Sequence, residues 1–302
     1  MNSPHRAGFV AIVGRPNVGK STLVNALVGK KIAITSKHPN TTRNPIRGII
    51  TKSDYQIIVV DTPGVHKPKT LLGARLNEMV AENIDDVDAA VICLPANEEL
   101  GQGDEFVIRQ IAKSKIVVAL TKVDLVGPEN IIEKLSEIDR IFKNMSLKYE
   151  EIIPISAKNN SQVDILEREL SKRLIESPLL YPADMDTDQA SELLIAEFIR
   201  ESAIKDTFQE VPHSIVVTIE HFEKRENKEL IDINATIHVE RDSQKPMLIG
   251  KQGSKLKEIG TNARAQIENY LGSKVYLSLH VKVSKDWQKD PKALARLGFI
   301  ES

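Results

Sequence analysis

The chain has 302 residues, more than one compact core usually holds, so we expect two domains. Its hydrophobic fraction of 41% and charged fraction of 27% are those of a globular protein. The formal net charge of −1 excludes a molecule that is basic over its whole surface, so any nucleic-acid-binding surface must be a local patch. The single cysteine, Cys93, excludes an intramolecular disulfide and is expected to be a buried, inert thiol.

The first residues contain no apolar signal segment, and no apolar run reaches membrane-spanning length. We therefore expect a cytoplasmic protein. These observations leave peripheral contact with a membrane surface open.

The first motif follows an apolar run at residues 9–13, which predicts a buried strand. Residues 14–21 read Gly-Arg-Pro-Asn-Val-Gly-Lys-Ser, and a helix-forming stretch follows at residues 21–27. In this context the pattern is a phosphate-binding loop, whose amides and helix N-terminus attract phosphates. Lys20 can reach the β- and γ-phosphates, and the Ser21 hydroxyl can ligate Mg²⁺. The predicted nucleotide-binding residues here are Gly14, Arg15, Pro16, Asn17, Val18, Gly19, Lys20, Ser21 and Thr22.

The first half of the chain alternates short apolar runs with amphipathic segments. Strands are predicted at residues 9–13, 48–53, 57–61, 89–94, 115–120 and 151–155, and helices at 75–84, 105–112, 131–142 and 163–175. The alternation predicts an α/β domain with a mostly parallel sheet covered on both faces, in which a turn at Ser53 and Asp54 creates one antiparallel edge strand.

One polar cluster, Asp61-Thr62-Pro63-Gly64, lies at a carboxyl strand end, where ligands gather in such sheets. Asp61 can hold Mg²⁺ through water, and the Gly64 amide can contact the γ-phosphate. An aspartate here also serves as a helix cap in many proteins, so the assignment depends on the phosphate-binding loop upstream.

Two further clusters predict recognition of the base. Asp124 can accept two hydrogen bonds from guanine, a donor pair that adenine lacks, and the Lys122 stem can cover the base plane. An ordinary polar loop is the alternative for either cluster alone. The predicted base-binding residues are Thr121, Lys122, Asp124, Ser156, Ala157 and Lys158, of which the last three offer a backbone amide to guanine O6.

These four clusters, in this order, resemble the GTP-binding domain of the translation-factor-related GTPases. The loop sequence, together with Asn40-Thr41-Thr42-Arg43, is closest to the Era group. The resemblance implies GTP and GDP as ligands, and switch segments around residues 31–45 and 64–74. It implies Mg²⁺ ligation by Ser21, Thr42 and Asp61, with Thr41 the less favoured switch threonine.

Two positions depart from the family pattern. Thr121 stands where the guanine motif usually begins with asparagine, which predicts weaker base affinity. Val65 stands where many GTPases have a water-orienting glutamine. Asn17 resembles an asparagine that helps to bind K⁺ in related proteins, so slow hydrolysis that is faster in K⁺ than in Na⁺ is expected, with Lys20, Thr42 and Asn17 as the catalytic residues.

The second half of the chain begins with a proline-containing segment, residues 177–188, which predicts a linker. A helix at 189–205, strands at 214–222 and 229–240, two helical segments joined by Gly250-Lys251-Gln252-Gly253, and a strand at 274–283 follow. This is the order of an α+β type II KH domain. We therefore predict a GTP-binding domain at 1–176 and a KH domain with a C-terminal helix at 189–302.

The Gly-x-x-Gly loop predicts binding of single-stranded RNA, because glycines let a nucleic-acid backbone lie directly against the loop. Residues 241–285 contain nine lysines and arginines but three acidic residues, although for any one lysine a solvated helix face is the simpler interpretation. The predicted RNA-binding residues are Ile249, Gly250, Lys251, Gln252, Gly253, Lys255 and Lys257.

Residues 211–299 also resemble the Era C-terminal domain. The resemblance implies a monomeric switch that binds 16S ribosomal RNA near its 3′ end and assists assembly of the 30S subunit, with GTP reorienting the KH domain. We expect Trp287 and Phe299 to pin the C-terminal helix rather than stack on a base. The alternatives are an RNA-binding GTPase that acts on another RNA in translation or tRNA processing, a metabolic kinase, and an RNA-binding module with a vestigial nucleotide site.

Overall fold

The computed structural model describes residues 5–36, 42, 45–64, 72, 74, 76, 78, 87–112, 115–205, 214–226 and 229–297. The chain forms two compact units. The first contains the described residues up to Asp188, except 34–36 and 72, and the second contains those residues and everything described from Gln189 onward.

The first unit is an α/β structure. Its elements are β1 (Arg6–Val13), α1 (Lys20–Val28), β2 (Ile46–Thr51), β3 (Tyr55–Asp61), β4 (Ala89–Pro95), α2 (Gln102–Gln110), β5 (Ile116–Thr121), α3 (Pro128–Asn144), β6 (Glu151–Pro154), α4 (Val163–Ser171) and β7 (Ile175–Glu176). The sheet order is β2-β3-β1-β4-β5-β6, and every neighbouring pair on this path is parallel except β2 with β3.

Side chains of β1 alternate between two cores, which explains why helices cover both faces of the sheet. Val10 and Ile12 belong to a core that also holds buried residues of α1 and α4. Ala11 and Val13 belong to a second core, which holds buried residues of α2 and α3. The mostly parallel sheet predicted from the sequence is confirmed.

The short strand β7 was not predicted, because the helix expected at 163–175 ends at Ser171. Leu174 continues the helical spacing of Leu166 and Leu170 and is buried in the same core, so the apolar pattern does not reveal where the helix ends. Ile175 and Glu176 pair antiparallel with the start of β1. Of the helix predicted at 75–84, Leu76 and Glu78 are helical and the rest lies outside the described residues.

The segment predicted as a linker is attached to the edge strand β2. Asp186 O accepts a hydrogen bond from Ile49 N at 2.8 Å, and Thr187 Oγ1 donates to Arg47 O at 2.6 Å. Arg47 Nη1 contacts Asp188 Oδ2 at 2.9 Å. The segment therefore covers backbone groups that an edge strand otherwise exposes.

The second unit is an α+β structure with a three-stranded sheet. Its elements are α5 (Ser191–Ile204), β8 (Val216–Lys224), β9 (Leu230–Val239), α6 (Gln244–Ile249), α7 (Ser254–Leu271), β10 (Lys274–Val283) and α8 (Pro291–Arg296). Strand β9 lies in the middle, antiparallel to β8 and parallel to β10. Buried residues of α5, α7 and the sheet form one core. This order of elements is the one predicted for a type II KH domain.

Candidate nucleotide site and nucleic-acid interface

The loop between β1 and α1 has a backbone that depends on glycine. Gly14 and Gly19 have φ angles of 154° and 103°. A Cβ atom at Gly14 would lie 2.8 Å from Val18 Cγ2 and 2.9 Å from the Cys93 carbonyl oxygen, so no larger residue fits there. Asn17 also has a positive φ, of 64°. The loop leads directly into α1, so its amides lie at a helix N-terminus, which is suited to phosphate binding.

Lys20 lies inside this loop. Its Nζ donates to Gly14 O at 3.1 Å and to Arg15 O at 2.9 Å, and the residue is 6% exposed. Burial lowers the pKa of Lys20, and attraction to Asp61 opposes that effect. A bound anion such as a phosphate would favour the charged ammonium as Asp61 does. The buried lysine is therefore suited to an ion pair with a phosphate group.

Three oxygen-bearing side chains meet beside the loop. Ser21 Oγ donates to Asp61 Oδ2 at 2.7 Å, Thr42 Oγ1 donates to the same oxygen at 3.1 Å, and the two hydroxyls are 2.9 Å apart. The structure thus brings together the three residues expected to ligate Mg²⁺. Thr41 lies outside the described residues, as do Asn40, Arg43 and Val65.

Asp61 has the properties of a metal-binding carboxylate. It is fully buried, and its Oδ1 has no hydrogen-bond partner among the described residues. Burial raises the pKa of Asp61, while Lys20 and the hydrogen bonds from Ser21 and Thr42 oppose the rise. An all-oxygen set with an unsatisfied buried carboxylate oxygen fits Mg²⁺, which prefers hard oxygen ligands.

The residues after Asp61 pack against the phosphate loop. Thr62 Oγ1 donates to Ile12 O at 2.8 Å, inside the sheet. A Cβ atom at Gly64 would lie 2.9 Å from Pro16 Cα, so the glycine permits close contact between the two segments. Pro63 lies between Thr62 and Gly64 in the chain. This contact places the Gly64 backbone at the loop, where the sequence predicted it.

The predicted base-binding residues are connected by hydrogen bonds. Ser156 Oγ donates to Asp124 Oδ1 at 2.7 Å, which fixes the carboxylate expected to read guanine. Thr121 Oγ1 donates to Val18 O at 2.6 Å. This hydroxyl therefore links residues 121–124, the base motif, to the phosphate loop at residues 14–21. Lys122 has a positive φ of 59°, and Ala157 and Lys158 follow Ser156 in the adjoining turn.

Sequence reasoning missed one part of this site, the loop after β4. Glu98 contacts both Arg15 and Lys122, and Asp104 contacts Arg15. Neither acidic residue belongs to a motif, and acidic residues at the start of a helix commonly serve as caps. The sequence carried no signal that distinguished Glu98 and Asp104 from ordinary acidic residues near a helix start.

In the second unit, the Gly-x-x-Gly loop joins α6 to α7. Gly250 and Gly253 have φ angles of 72° and 78°. A Cβ atom at Gly250 would lie 2.9 Å from Lys255 N, whereas one at Gly253 would meet nothing within 4 Å. Gly250 therefore allows the tight turn, and Gly253 leaves its backbone open to a ligand. Ile249 ends α6, and Lys251 and Gln252 form the turn.

A groove of about 380 Å³ begins at this loop and runs between α7 and β10. Gly253 and Lys257, from the predicted set, line it; Lys255 instead contacts Glu258 at 3.1 Å. Six lining residues were not predicted. Those on α7 follow Gly253 and Lys257 at intervals of three or four residues, which places them on the same face of the helix. The six are Leu256, Gly260, Thr261, Arg264, Leu277 and Leu279.

Trp287 is buried and unable to stack on a base. Its Nε1 donates to Ser214 O at 3.1 Å, and its side chain is fully buried. The preference for a structural role is confirmed for Trp287, whereas Phe299 lies outside the described residues.

Cys93 is also buried, and burial raises its pKa to about 12, as expected for an inert thiol. In the described parts of the chain, no helix has both the length and the apolar character needed to cross a membrane.

Comparison with known proteins gives two family matches. Residues 9–122 match the family described as 50S ribosome-binding GTPase, and residues 210–288 match the KH domain family. The chain is similar to GTPase Era of Streptomyces coelicolor, with 50% identity covering 98% of this chain and 95% of that protein. It is also 50% identical to GTPase Era of Mycobacterium bovis, covering 97% of this chain and 98% of that protein.

Two solved structures agree with these matches over nearly the whole chain. A crystal structure of Era in complex with MgGDPNP and nucleotides 1506–1542 of 16S ribosomal RNA has a TM-score of 0.93 and 38% identity, covering 98% of this chain and 99% of that one. A variant of Aquifex aeolicus Era bound to GDP·AlF4⁻ has a TM-score of 0.92 and 37% identity, covering 97% and 99%. The chain belongs to the GTPase Era family.

Proposed function

We propose that this protein is a GTP-hydrolysing, RNA-binding switch that binds 16S ribosomal RNA near its 3′ end and assists assembly of the 30S subunit. The observation that carries the proposal is one chain with both a preformed Ser21–Thr42–Asp61 oxygen cluster and an open groove at a Gly-x-x-Gly loop. The Era structure bound to a 16S fragment supports the RNA assignment. The family matched by residues 9–122 is described by the 50S subunit, whereas 16S RNA belongs to the small subunit. We assign the small subunit, because the Era structure with the 16S fragment matches nearly the whole chain.

We assign nucleotide binding to the four predicted clusters, in a GTP-binding domain at 1–176 connected through 177–188 to a KH domain at 189–302. Lys20 would contact the β- and γ-phosphates, and Asp124, held by Ser156, would accept hydrogen bonds from guanine. Ser21, Thr42 and Asp61 would hold Mg²⁺, which would neutralise charge developing on the phosphate oxygens. The buried Lys20 ammonium, held in position by Gly14 O and Arg15 O, would stabilise that charge without reorganisation.

Asn17 is proposed to support a K⁺ ion beside the phosphates, because this chain has valine at position 65 and lacks a glutamine there to orient water. Hydrolysis is then faster in K⁺ than in Na⁺, and Asn17→Ala removes the difference. Steady-state hydrolysis in the two salts measures this. Equal rates for the unmodified protein would rule out the role of Asn17.

The switch is tested by thermodynamic reciprocity. If a non-hydrolysable GTP analogue tightens binding of a 16S 3′-end fragment, the fragment must tighten binding of the analogue by the same factor. Titrations of each ligand in the presence and absence of the other measure both factors. Affinities that do not depend on the other ligand would refute the switch but leave the two binding activities intact.

The RNA target is tested by crosslinking the protein to cellular RNA with and without the analogue. Enrichment of the 3′ end of 16S RNA supports the proposal, whereas enrichment of tRNA or another translational RNA supports the alternative.

We place this activity in the cytoplasm and assign it to the monomer. Flotation with anionic vesicles tests the further expectation of peripheral membrane contact.

A further inference from the structure

The loop at residues 96–101, between β4 and α2, contacts both motifs of the nucleotide site. Ala96 N donates to Thr121 O at 2.8 Å, which fixes the start of the loop at the base motif. Glu98 Oε1 accepts from Lys122 Nζ at 2.9 Å, and Glu98 Oε2 lies 3.6 Å from Arg15 Nη2. One carboxylate therefore touches the lysine of the base motif and the arginine of the phosphate loop.

Arg15 is held in place from its other side by α2. Its Nε donates to Asp104 Oδ1 at 2.7 Å, and Asp104 is 1% exposed. The second oxygen of Asp104 accepts from Gly101 N at 3.0 Å, so this carboxylate is itself fixed. A Cβ atom at Gly103 would lie 2.8 Å from Arg15 Cδ, so glycine leaves space for the arginine stem. Arg15 thus presents its guanidinium to Glu98 from a fixed position.

The Arg15 guanidinium still has binding capacity in this arrangement. Its Nη2 is buried and has no hydrogen-bond partner in the described part of the chain, although Glu98 is near enough for electrostatic attraction. A small movement of Glu98 would complete a charge-assisted hydrogen bond. Glu98 is therefore positioned to draw the two motifs together around a bound nucleotide.

We propose that Glu98 is a positioning residue that holds the Lys122 stem over the guanine base and joins it to Arg15 of the phosphate loop. The inference rests on the nucleotide site of the proposed function. Lys122 has a flexible stem, and an anchor at its ammonium restricts the stem to conformations that cover the base. Loss of that anchor releases nucleotide faster without altering the groups that contact the γ-phosphate.

The effect is moderate because the side chains remain partly in solvent. Glu98, Lys122 and Arg15 have exposed fractions of 39%, 26% and 28%. Two partly exposed ion pairs change an equilibrium by about fivefold to tenfold in total. The effect also weakens as ionic strength rises.

The test compares Glu98→Ala, Glu98→Gln and the control Glu99→Gln in the full-length chain. Glu99 is exposed and takes part in no ion pair within the described regions. Fluorescent GDP is released about fivefold to tenfold faster from Glu98→Ala and by a smaller factor from the isosteric Glu98→Gln. Glu99→Gln releases it at the rate of the unmodified protein. The single-turnover hydrolysis rate at saturating GTP stays within about twofold for every variant, which separates binding from chemistry.

A double-mutant cycle tests whether Glu98 acts through its two partners. In a Lys122→Ala background, Glu98→Ala changes GDP release by less than about twofold, and an Arg15→Ala background retains part of the effect. An acceleration by Glu98→Ala that is as large in the Lys122→Ala background as in the unmodified protein, or no acceleration in the unmodified protein, overturns the proposal. Failure of the unmodified chain to bind GDP would instead refute the nucleotide site itself.

Discussion

The two units present their binding groups in opposite ways. In the first unit, Lys20, Thr42 and Asp61 are buried and already hydrogen-bonded to the loop or to one another. In the second unit, Lys257 and Arg264 are exposed along an open groove. The nucleotide site therefore depends on fixed geometry in a desolvated setting, whereas the groove depends on charges that water and salt screen.

This difference predicts different responses to substitution. Removing one group from the buried site leaves other buried polar groups unsatisfied, which is costly, and changes there are not additive. Removing one cation from the groove changes affinity by a small, salt-dependent amount. Four substitutions, taken in order of decreasing effect, test this contrast.

Lys20→Ala should have the largest effect. It removes the buried cation that faces the phosphates, so single-turnover GTP hydrolysis should fall by a factor on the order of 10² to 10³. Lys143→Ala is the matched control, since Lys143 is 74% exposed on α3 and pairs only with Asp139 among the described residues. A Lys20→Ala rate equal to that of the control would show that the buried lysine is not part of the hydrolytic site.

Asp61→Asn should separate stability from function. Asparagine keeps an oxygen that can accept from Ser21 and Thr42 but removes the charge. The concentration of Mg²⁺ needed for half-maximal hydrolysis should therefore rise by about tenfold or more. Titration of Mg²⁺ at saturating GTP measures this, with the exposed Asp164→Asn as control.

The same variant has an opposite effect on the ligand-free protein. Because burial raises the folded-state pKa of Asp61, its ionised form destabilises the fold at neutral pH. Asp61→Asn should increase the free energy of unfolding by about 1 kcal/mol at pH 7. That advantage should disappear as the pH falls below the unfolded-state pKa, where Asp61 is protonated in both states. Destabilisation at pH 7 would mean that attraction to Lys20 outweighs desolvation.

Motifs with a fixed local geometry could be predicted from the sequence. The phosphate loop and the Gly-x-x-Gly loop lie where their spacing placed them, because each depends on neighbours close in sequence, and Asp61 and Asp124 follow from the strands that precede them. Contacts between distant segments could not be predicted. Glu98 meets Arg15 and Lys122 only after the parallel sheet brings their loops to one edge.

The ends of elements were also less predictable than their cores. Leu174 keeps the spacing of a helix that has already ended, because the same core accepts it from an extended segment. Groove residues such as Arg264 and Leu279 lie on α7 and β10, which come together only in the folded unit. Their sequence neighbourhood contains no motif beyond ordinary helical and strand patterns.

Thr121→Val tests how the base motif is tied to the phosphate loop. Valine has nearly the same shape but cannot donate to Val18 O, so a buried carbonyl oxygen loses the donor at 2.6 Å. The expected cost is about 1–2 kcal/mol in the free energy of unfolding, with GDP release about tenfold faster. Denaturant unfolding and fluorescent GDP release measure the two effects. Thr121→Ser keeps the hydroxyl and should restore most of both; a serine variant as impaired as the valine variant would contradict this assignment.

Lys257→Ala should have the smallest effect, because its ammonium is exposed at the groove. Affinity for a single-stranded RNA should fall by about threefold, and the slope of log affinity against log salt should decrease by about 0.7. The loss should be similar for different RNA sequences, since a phosphate contact carries no sequence information. Lys289→Ala, on a 70% exposed lysine that does not line the groove, should change neither quantity. A sequence-dependent loss would instead mean that Lys257 reads a base edge, and the groove would then share the geometric specificity of the nucleotide site.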